Sequence, residues 1–153
     1  MKKFAYRNAA TVSEAASFLK SGDAAILAGG TDILNLLKAG ALIHPPRTLV
    51  NIKNIPGLDS IHEDADGLRI GATTRLGDIA ASGKVQSRYA ALARAAGSAA
   101  SPPLREMGTL AGNLCQEVQC WYFRRSFLTG SSFDCLRKGG KQCYAVAGDN
   151  RYH

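Results

Sequence analysis

The chain has 153 residues, 46% of them hydrophobic and 20% charged, with a formal net charge of +7. That length and apolar content are enough to bury a real core, so the chain reads as a soluble α/β domain or a compact pair of small ones. No apolar run approaches the roughly 20 residues that span a bilayer, and MKKFAYRNAA lacks the apolar centre of a secretory signal, which predicts a cytoplasmic protein with no membrane span.

Taken in chain order, Thr11 followed by Glu14 forms a capping box, and VSEAASFLKSG carries apolar residues at helical spacing; a helix is predicted over about Val12–Ser21, with Gly22 at its end. AAILAGG is a short apolar run closed by glycine and reads as a buried parallel strand ending near Ala28. Thr31 or Asp32 is placed to cap the next helix, ILNLLKAG, whose Ile33, Leu34, Leu36 and Leu37 share one face before Gly40. RTLVNI, Arg47 to Ile52, follows Pro45-Pro46 as another buried strand, so the opening third is a β-α-β crossover unit. GLRIGATT is a further strand opened by the DADG turn, and TRLGDIAAS is a capped short helix. Tyr89 to Ala96 is alanine-rich and helical, and SPPL breaks the chain at Pro102 and Pro103. Beyond Cys115 the periodicity fades into arginine, aromatics, glycine and cysteine, which calls for something other than a core to order it.

The first chemical signal is the pair Gly29-Gly30 between a strand and a helix. Such glycines either close a tight turn or let the backbone approach a ligand, and the free N–H groups of the following helix then favour an anion, commonly a phosphate or diphosphate. No Lys-Ser/Thr pair follows the glycines and no G-x-G-x-x-G occurs, so neither a P-loop nor a Rossmann turn is present. GTLAGNL, Gly108 to Leu114, repeats the small-residue chemistry with the Thr109 hydroxyl and the Asn113 amide. Two such turns suit a dinucleotide gripped from both sides.

The second signal is that all four cysteines, Cys115, Cys120, Cys135 and Cys143, lie in a 29-residue window. In a chain without a secretory signal this favours metal or redox work over a disulfide framework. The spacing is Cys115-x4-Cys120-x14-Cys135-x7-Cys143, without the paired C-x2-4-C knuckles usual for structural zinc; wide spacing among basic residues suits an iron–sulfur cluster, with unpaired structural cysteines as the alternative. From Trp121 onward the chain carries six arginines and lysines against two aspartates. Trp121, Tyr122 and Phe123 are expected to pack this segment onto the core or a partner rather than to stack nucleic acid. His44, His62 and His153 are isolated, and no G-x-S-x-G or H-E-x-x-H motif occurs, so no catalytic residue is assigned.

ILAGGTDILNLLK, then LRIGATTRLGDIA, then GTLAGNL resemble, in order, the FAD-binding (medium) subunit or domain of the molybdenum hydroxylases, the xanthine dehydrogenase and aldehyde oxidoreductase family. The resemblance implies a PCMH-type FAD-binding α/β (α+β) fold. It implies a small parallel β-α-β subdomain over residues 1–55, the start of a second mixed α/β subdomain over 56–114, and an irregular Cys-bearing insert over 115–153, with the C-terminal remainder of the fold beyond this chain. It implies FAD held by Ala25, Ile26, Leu27, Ala28, Gly29, Gly30, Thr31, Asp32 and Ile33 at the diphosphate. Thr109, Gly112 and Asn113 face the flavin side, and Thr73 and Arg105 are further candidates. QCWYFRR, FDCLRKGGKQC and DNRYH resemble the loop that carries a [4Fe-4S] cluster in one branch of the family, that of 4-hydroxybenzoyl-CoA reductase and some aldehyde oxidoreductases. Cys120, Cys135 and Cys143 would then be three ligands, with the fourth not in this chain and Cys115 a small buried residue of the flavin turn. The implied function is electron transfer between [2Fe-2S] clusters of a small subunit and an external electron carrier, beside a large molybdenum-cofactor subunit, with no nucleic acid partner. The rival readings are a basic anion- or nucleic-acid-binding module and a zinc-stabilised structural domain.

Overall fold

The computed structural model describes residues 2–125, 133–148 and 150–151. Three parallel strands, β1 (Ala5–Asn8), β2 (Ala24–Leu27) and β3 (Thr48–Asn51), form a sheet in the order β1-β3-β2. Leu49 pairs with Tyr6 on one side and with Ala25 on the other. The expected crossover from β2 to β3 is there; β1 is an addition, because its four exposed residues carry no alternating pattern.

Helix α1 (Val12–Leu19) starts at Thr11, whose hydroxyl accepts from the Glu14 amide at 3.1 Å, while the Glu14 carboxylate accepts from the Ala10 amide at 2.7 Å. It ends two residues short of the predicted stop. Helix α2 (Ile33–Ala39) ends at Gly40 as expected. Successive residues of β3 point to opposite faces, and both are covered. Val50 packs with Ala9, Ala15 and Phe18 on the α1 side, and Leu49 packs with Leu27, Leu37 and Ile33 on the α2 side. Burial on both sides is why this strand reads as an unbroken apolar run.

The chain then forms a hairpin of β4 (Ile61–Asp64) and β5 (Gly67–Ile70), antiparallel through the expected DADG turn. Only the second strand was anticipated; IHED alternates weakly. Against the hairpin pack α3 (Leu76–Ala81), α4 (Gly83–Arg88) and α5 (Ala90–Ser98) around Ile79, Val85, Ala93 and Ala96. Glu63 on β4 ties this layer together, taking Arg88 at 2.8 Å and the Tyr89 hydroxyl at 3.1 Å. Helix α3 has no side-chain cap, contrary to the capped start expected. The prolines at 102 and 103 do not simply break the chain: they open a one-turn helix, α6 (Pro102–Arg105), where a missing N–H costs nothing. Likewise GTLAGNL is a short helix, α7 (Leu110–Leu114), rather than an open turn.

Beyond Cys115 the described residues form short turns: α8 (Trp121–Arg124), a 3-10 turn at Leu136–Lys138 and α9 (Tyr144–Ala147). Phe123 is buried with Cys120, Cys135, Leu36 and Ala41, so the aromatic segment does dock on α2, whereas Trp121 stays half exposed. Residues 126–132, Asp149 and the Tyr152-His153 end of the DNRYH motif lie outside the described residues.

Leu49 is fully buried at the sheet's centre while Val12 is exposed. In urea unfolding, Leu49→Ala is expected to lose about 2–5 kcal/mol, and Val12→Ala to stay within about 0.5 kcal/mol of the parent.

Candidate functional site

The turn after β2 lies at the C-terminal end of the parallel sheet, where open α/β sheets bind ligands. Its shape follows from its two glycines. Gly30 adopts a left-handed φ of 75°, which a side chain resists. Gly29 has a different reason: a Cβ there would overlap the main-chain carbonyl oxygen of Met107. The space on the Cβ side of Gly29 is thus filled by the chain itself, while Gly29 also lines the cavity described next. It lets the segment leading into α7 press against the turn.

That approach encloses a cavity of about 490 Å³. One wall is Ile26, Ala28, Gly29, Gly30, Thr31, Asp32 and Ile33; the facing wall is Thr109, Ala111, Gly112 and the run Cys115 to Glu117. The two predicted motifs therefore meet on one space. Leu36, Leu42 and Ile52 complete its apolar floor, a contribution with no local sequence signal beyond their place in a helix, a loop and a strand end. Ala25 and Leu27 do not reach it, because alternate strand residues face away; Leu27 is buried in the core beneath α2. Asn113 does not line it either.

Several polar groups are already committed. The Thr109 hydroxyl accepts from the Gly112 amide at 3.2 Å, capping α7, and Leu110 and Ala111 donate to the carbonyls of Thr74 and Ala72 at 2.8 and 3.0 Å. Asp32 stands at the start of α2 but does not cap it. Its carboxylate instead accepts from the Glu117 amide at 2.9 Å and from the Arg124 guanidinium at 2.5 Å. Arg105 donates to the carbonyls of Ala99 and Ala100, both at 3.0 Å, and so holds Ala100 in its left-handed conformation away from the cavity. Cys115 is exposed at the cavity rim, contrary to the buried position expected.

A smaller cavity of about 130 Å³ adjoins the first through Thr109 and is lined by Lys53, Asp59, Thr73, Arg75, Glu106 and Met107. Here Thr73 is 6% exposed, and its hydroxyl has no hydrogen-bond partner among the described residues. Buried hydroxyls are nearly always paired, so this one points to an occupant. Lys53 donates to the Ala28 carbonyl at 3.2 Å, bracing the glycine turn from behind, and its burial pulls its ammonium below the ordinary lysine value. A larger open groove near Lys2, Lys3, His44 and Arg47 lies at the other end of the strands, away from both motifs.

The cysteines are all free thiols. Cys120 and Cys135 share one buried cluster, and a backbone bridge joins Cys135 to Gln142, next to Cys143. Lys138 is drawn down by burial, an effect opposed by the nearby Cys135. Among the described residues no group of three or more metal-binding side chains is gathered around one point. Nor, among them, is any helix long and apolar enough to cross a membrane.

A family profile described as the FAD binding domain in molybdopterin dehydrogenase matches residues 2–120. The chain belongs to this family. It is 40% identical over 156 residues to the aldehyde oxidoreductase FAD-binding subunit PaoB of Escherichia coli (strain K12), a match covering 100% of this chain and 46% of PaoB. It is 36% identical over 114 residues to the carbon monoxide dehydrogenase medium chain of Hydrogenophaga pseudoflava, covering 73% of this chain and 39% of that one. The solved carbon monoxide dehydrogenase from Hydrogenophaga pseudoflava superimposes with a TM-score of 0.70 at 36% identity, over 74% of this chain and 39% of its own. Quinoline 2-oxidoreductase from Pseudomonas putida 86 gives 0.68 at 31% identity, over 74% and 40%. The chain spans less than half the length of these relatives. The fold is thus the mixed α/β FAD-binding fold that the resemblance implied, and the two facing motifs belong to an FAD-binding domain.

The Thr73 hydroxyl is a buried group without a hydrogen-bond partner among the described residues. Thr73→Val is expected to leave thermal stability equal or raised by up to about 1 kcal/mol, since a buried donor without a partner is removed. The same variant should weaken FAD binding in a fluorescence titration.

Proposed function

We propose that this chain is the FAD-binding, electron-transferring component of a multi-subunit molybdenum-containing oxidoreductase of the hydroxylase, dehydrogenase or aryl-CoA reductase type. The observation that carries the reading is the meeting of the Gly29-Gly30 turn and the Thr109–Gly112 helix start on a single cavity. The residues present fit the cofactor. Glycine and threonine main chain line one wall, an apolar floor excludes water, and a buried hydroxyl waits for a partner alongside.

In this reading the main chain of Gly29, Gly30, Thr31 and Asp32 holds the diphosphate, and Thr109 and Gly112 bound the flavin side. Ala25 and Leu27 act from below, by fixing the strand that delivers the turn. Asn113 and Arg105 support the same elements through the α7 and Ala100 backbones. FAD, when bound, exchanges electrons one or two at a time. The chain's own contribution is to orient it and keep water from it. The relatives' descriptions as FAD-binding subunit and medium chain support partners that carry the remaining cofactors. We assign these as a large molybdenum-cofactor subunit, a small [2Fe-2S] subunit and an external electron carrier, in the cytoplasm.

The cysteine-bearing tail is the finer part of the proposal. The match to PaoB runs through it, Cys120 and Cys135 are buried together, and Arg137 and Lys138 stand next to Cys135 in sequence, as suits an anionic cluster. We assign Cys120, Cys135 and Cys143 as three ligands of a [4Fe-4S] cluster whose fourth ligand comes from elsewhere. Among the described residues the thiols are not gathered around one point.

The chain is expected to take up one FAD per molecule, with quenching of flavin fluorescence and a flavin absorption spectrum after gel filtration. Failure to retain added FAD, with or without companion subunits, refutes the assignment. Anaerobic reconstitution with iron and sulfide should give iron and acid-labile sulfide that fall in Cys135→Ser while FAD content holds. Zinc without iron would return the cysteines to a structural role.

A further inference from the structure

We propose that Arg124, carried by the cysteine-bearing tail, is a positioning residue for the cofactor: by neutralising Asp32 it makes the cavity receptive to a diphosphate. The inference rests on the FAD reading above and adds to it a source of charge control from outside the two motifs.

The cavity poses an electrostatic problem. Two carboxylate residues line it, Asp32 and Glu117, although its proposed occupant is an anion. Each is paired with an arginine of the tail: Asp32 with Arg124 at 2.5 Å, and Glu117 with Arg137 at 3.0 Å. The pairs differ in setting. The side chains of Arg124 and Asp32 are each 18% exposed, whereas those of Arg137 and Glu117 are 57% and 41% exposed. Solvent screens the second pair and leaves the first to act at close to full strength.

Arg124 is also held for this task. Its Nε donates to the Val118 carbonyl at 2.8 Å, and its Nη2 donates to the Glu117 carbonyl at 2.7 Å as well as to Asp32. The Asp32 carboxylate has its other oxygen occupied by the Glu117 amide. Both oxygens are thereby satisfied by the tail, and neither caps α2. Without Arg124, a partly buried negative charge would sit one residue from Thr31 in the turn that receives the diphosphate. At an effective dielectric of about 20, like charges several ångströms apart repel enough to weaken binding on the order of 10- to 100-fold.

The test is a charge cycle in the full chain, read as FAD dissociation constants by fluorescence titration. Circular dichroism and thermal melts report folding. Arg124→Met should bind FAD on the order of 10- to 100-fold more weakly, with the loss shrinking as salt rises. Asp32→Asn should bind more tightly than the parent, because it leaves Arg124 facing the diphosphate. The Arg124→Met/Asp32→Asn double variant should return close to the parent, and Arg124→Lys should keep most of the affinity. Arg137→Met, at the screened pair, should shift it by no more than about threefold. A double variant as weak as Arg124→Met, or an Asp32→Asn that weakens binding, would overturn the proposal by showing that the pair acts only as a brace. If Arg124→Met alone does not fold, the comparison of parent, Asp32→Asn and the double variant, which buries no lone charge, decides the sign. A parent chain that binds no FAD removes the FAD reading itself; a parent that binds with the cycle lacking rescue removes this inference alone.

Discussion

The cavity exists because the main chain at Met107 lies where a side chain of residue 29 would be. That close approach joins the sheet end to the α6–α7 segment, and it is secured from the other side by bonds of Leu76 to Gly108, Leu110 to Thr74 and Ala111 to Ala72 at 2.8 to 3.0 Å. Every other feature of the site follows from it. Thr109 faces the turn because residues 107–108 are pinned there, and the same segment lines the smaller cavity beside the buried Thr73. A glycine required for contact between two pieces of backbone is as restrictive as one required for a phosphate, because in both cases a Cβ would occupy the space of another atom.

Much of this was legible in the residues. The apolar runs AAIL and TLVN are buried strands, the Thr11–Glu14 box opens a helix, and the helix after the glycines stops at Gly40, since each of these signals is local and strong. The motifs at 29–32 and 109–112 could be named because each clusters glycine with a threonine hydroxyl. What stayed hidden has physical reasons. AYRN and IHED are strands by partnership, with little pattern of their own. The apolar floor at Leu36, Leu42 and Ile52 is assembled from three elements and marked by none. The Asp32–Arg124 contact joins residues 92 positions apart, and nothing in either neighbourhood announces the other. Thr31 and Asp32 are both cap types at that place, and the tail outcompetes the helix for the Asp32 carboxylate.

The tail illustrates how a segment without periodicity can still be ordered. Its described residues hold by an aromatic group, with Tyr122, Phe133 and Tyr144 ring centroids 4.9 to 5.6 Å apart, and by cations of Arg137 and Lys138 over Phe123 at 5.8 and 5.4 Å. Such contacts add to plain area burial. They place the two buried thiols against α2, the helix that begins at the glycine turn, so the thiol-bearing segment and the cavity share one structural wall through Leu36.

The order of the parallel sheet has a consequence for biosynthesis. Its middle strand is the last of the three to be made, and the flanking strands share no ladder with each other. A nascent chain that has emerged only as far as α2 holds two unpaired ribbons, and the sheet closes when residues 48–51 slide between them. Pairing across such sequence distances delays closure and leaves apolar surface open meanwhile. In chain order, the ladder bonds on both sides of the middle strand therefore wait for TLVN.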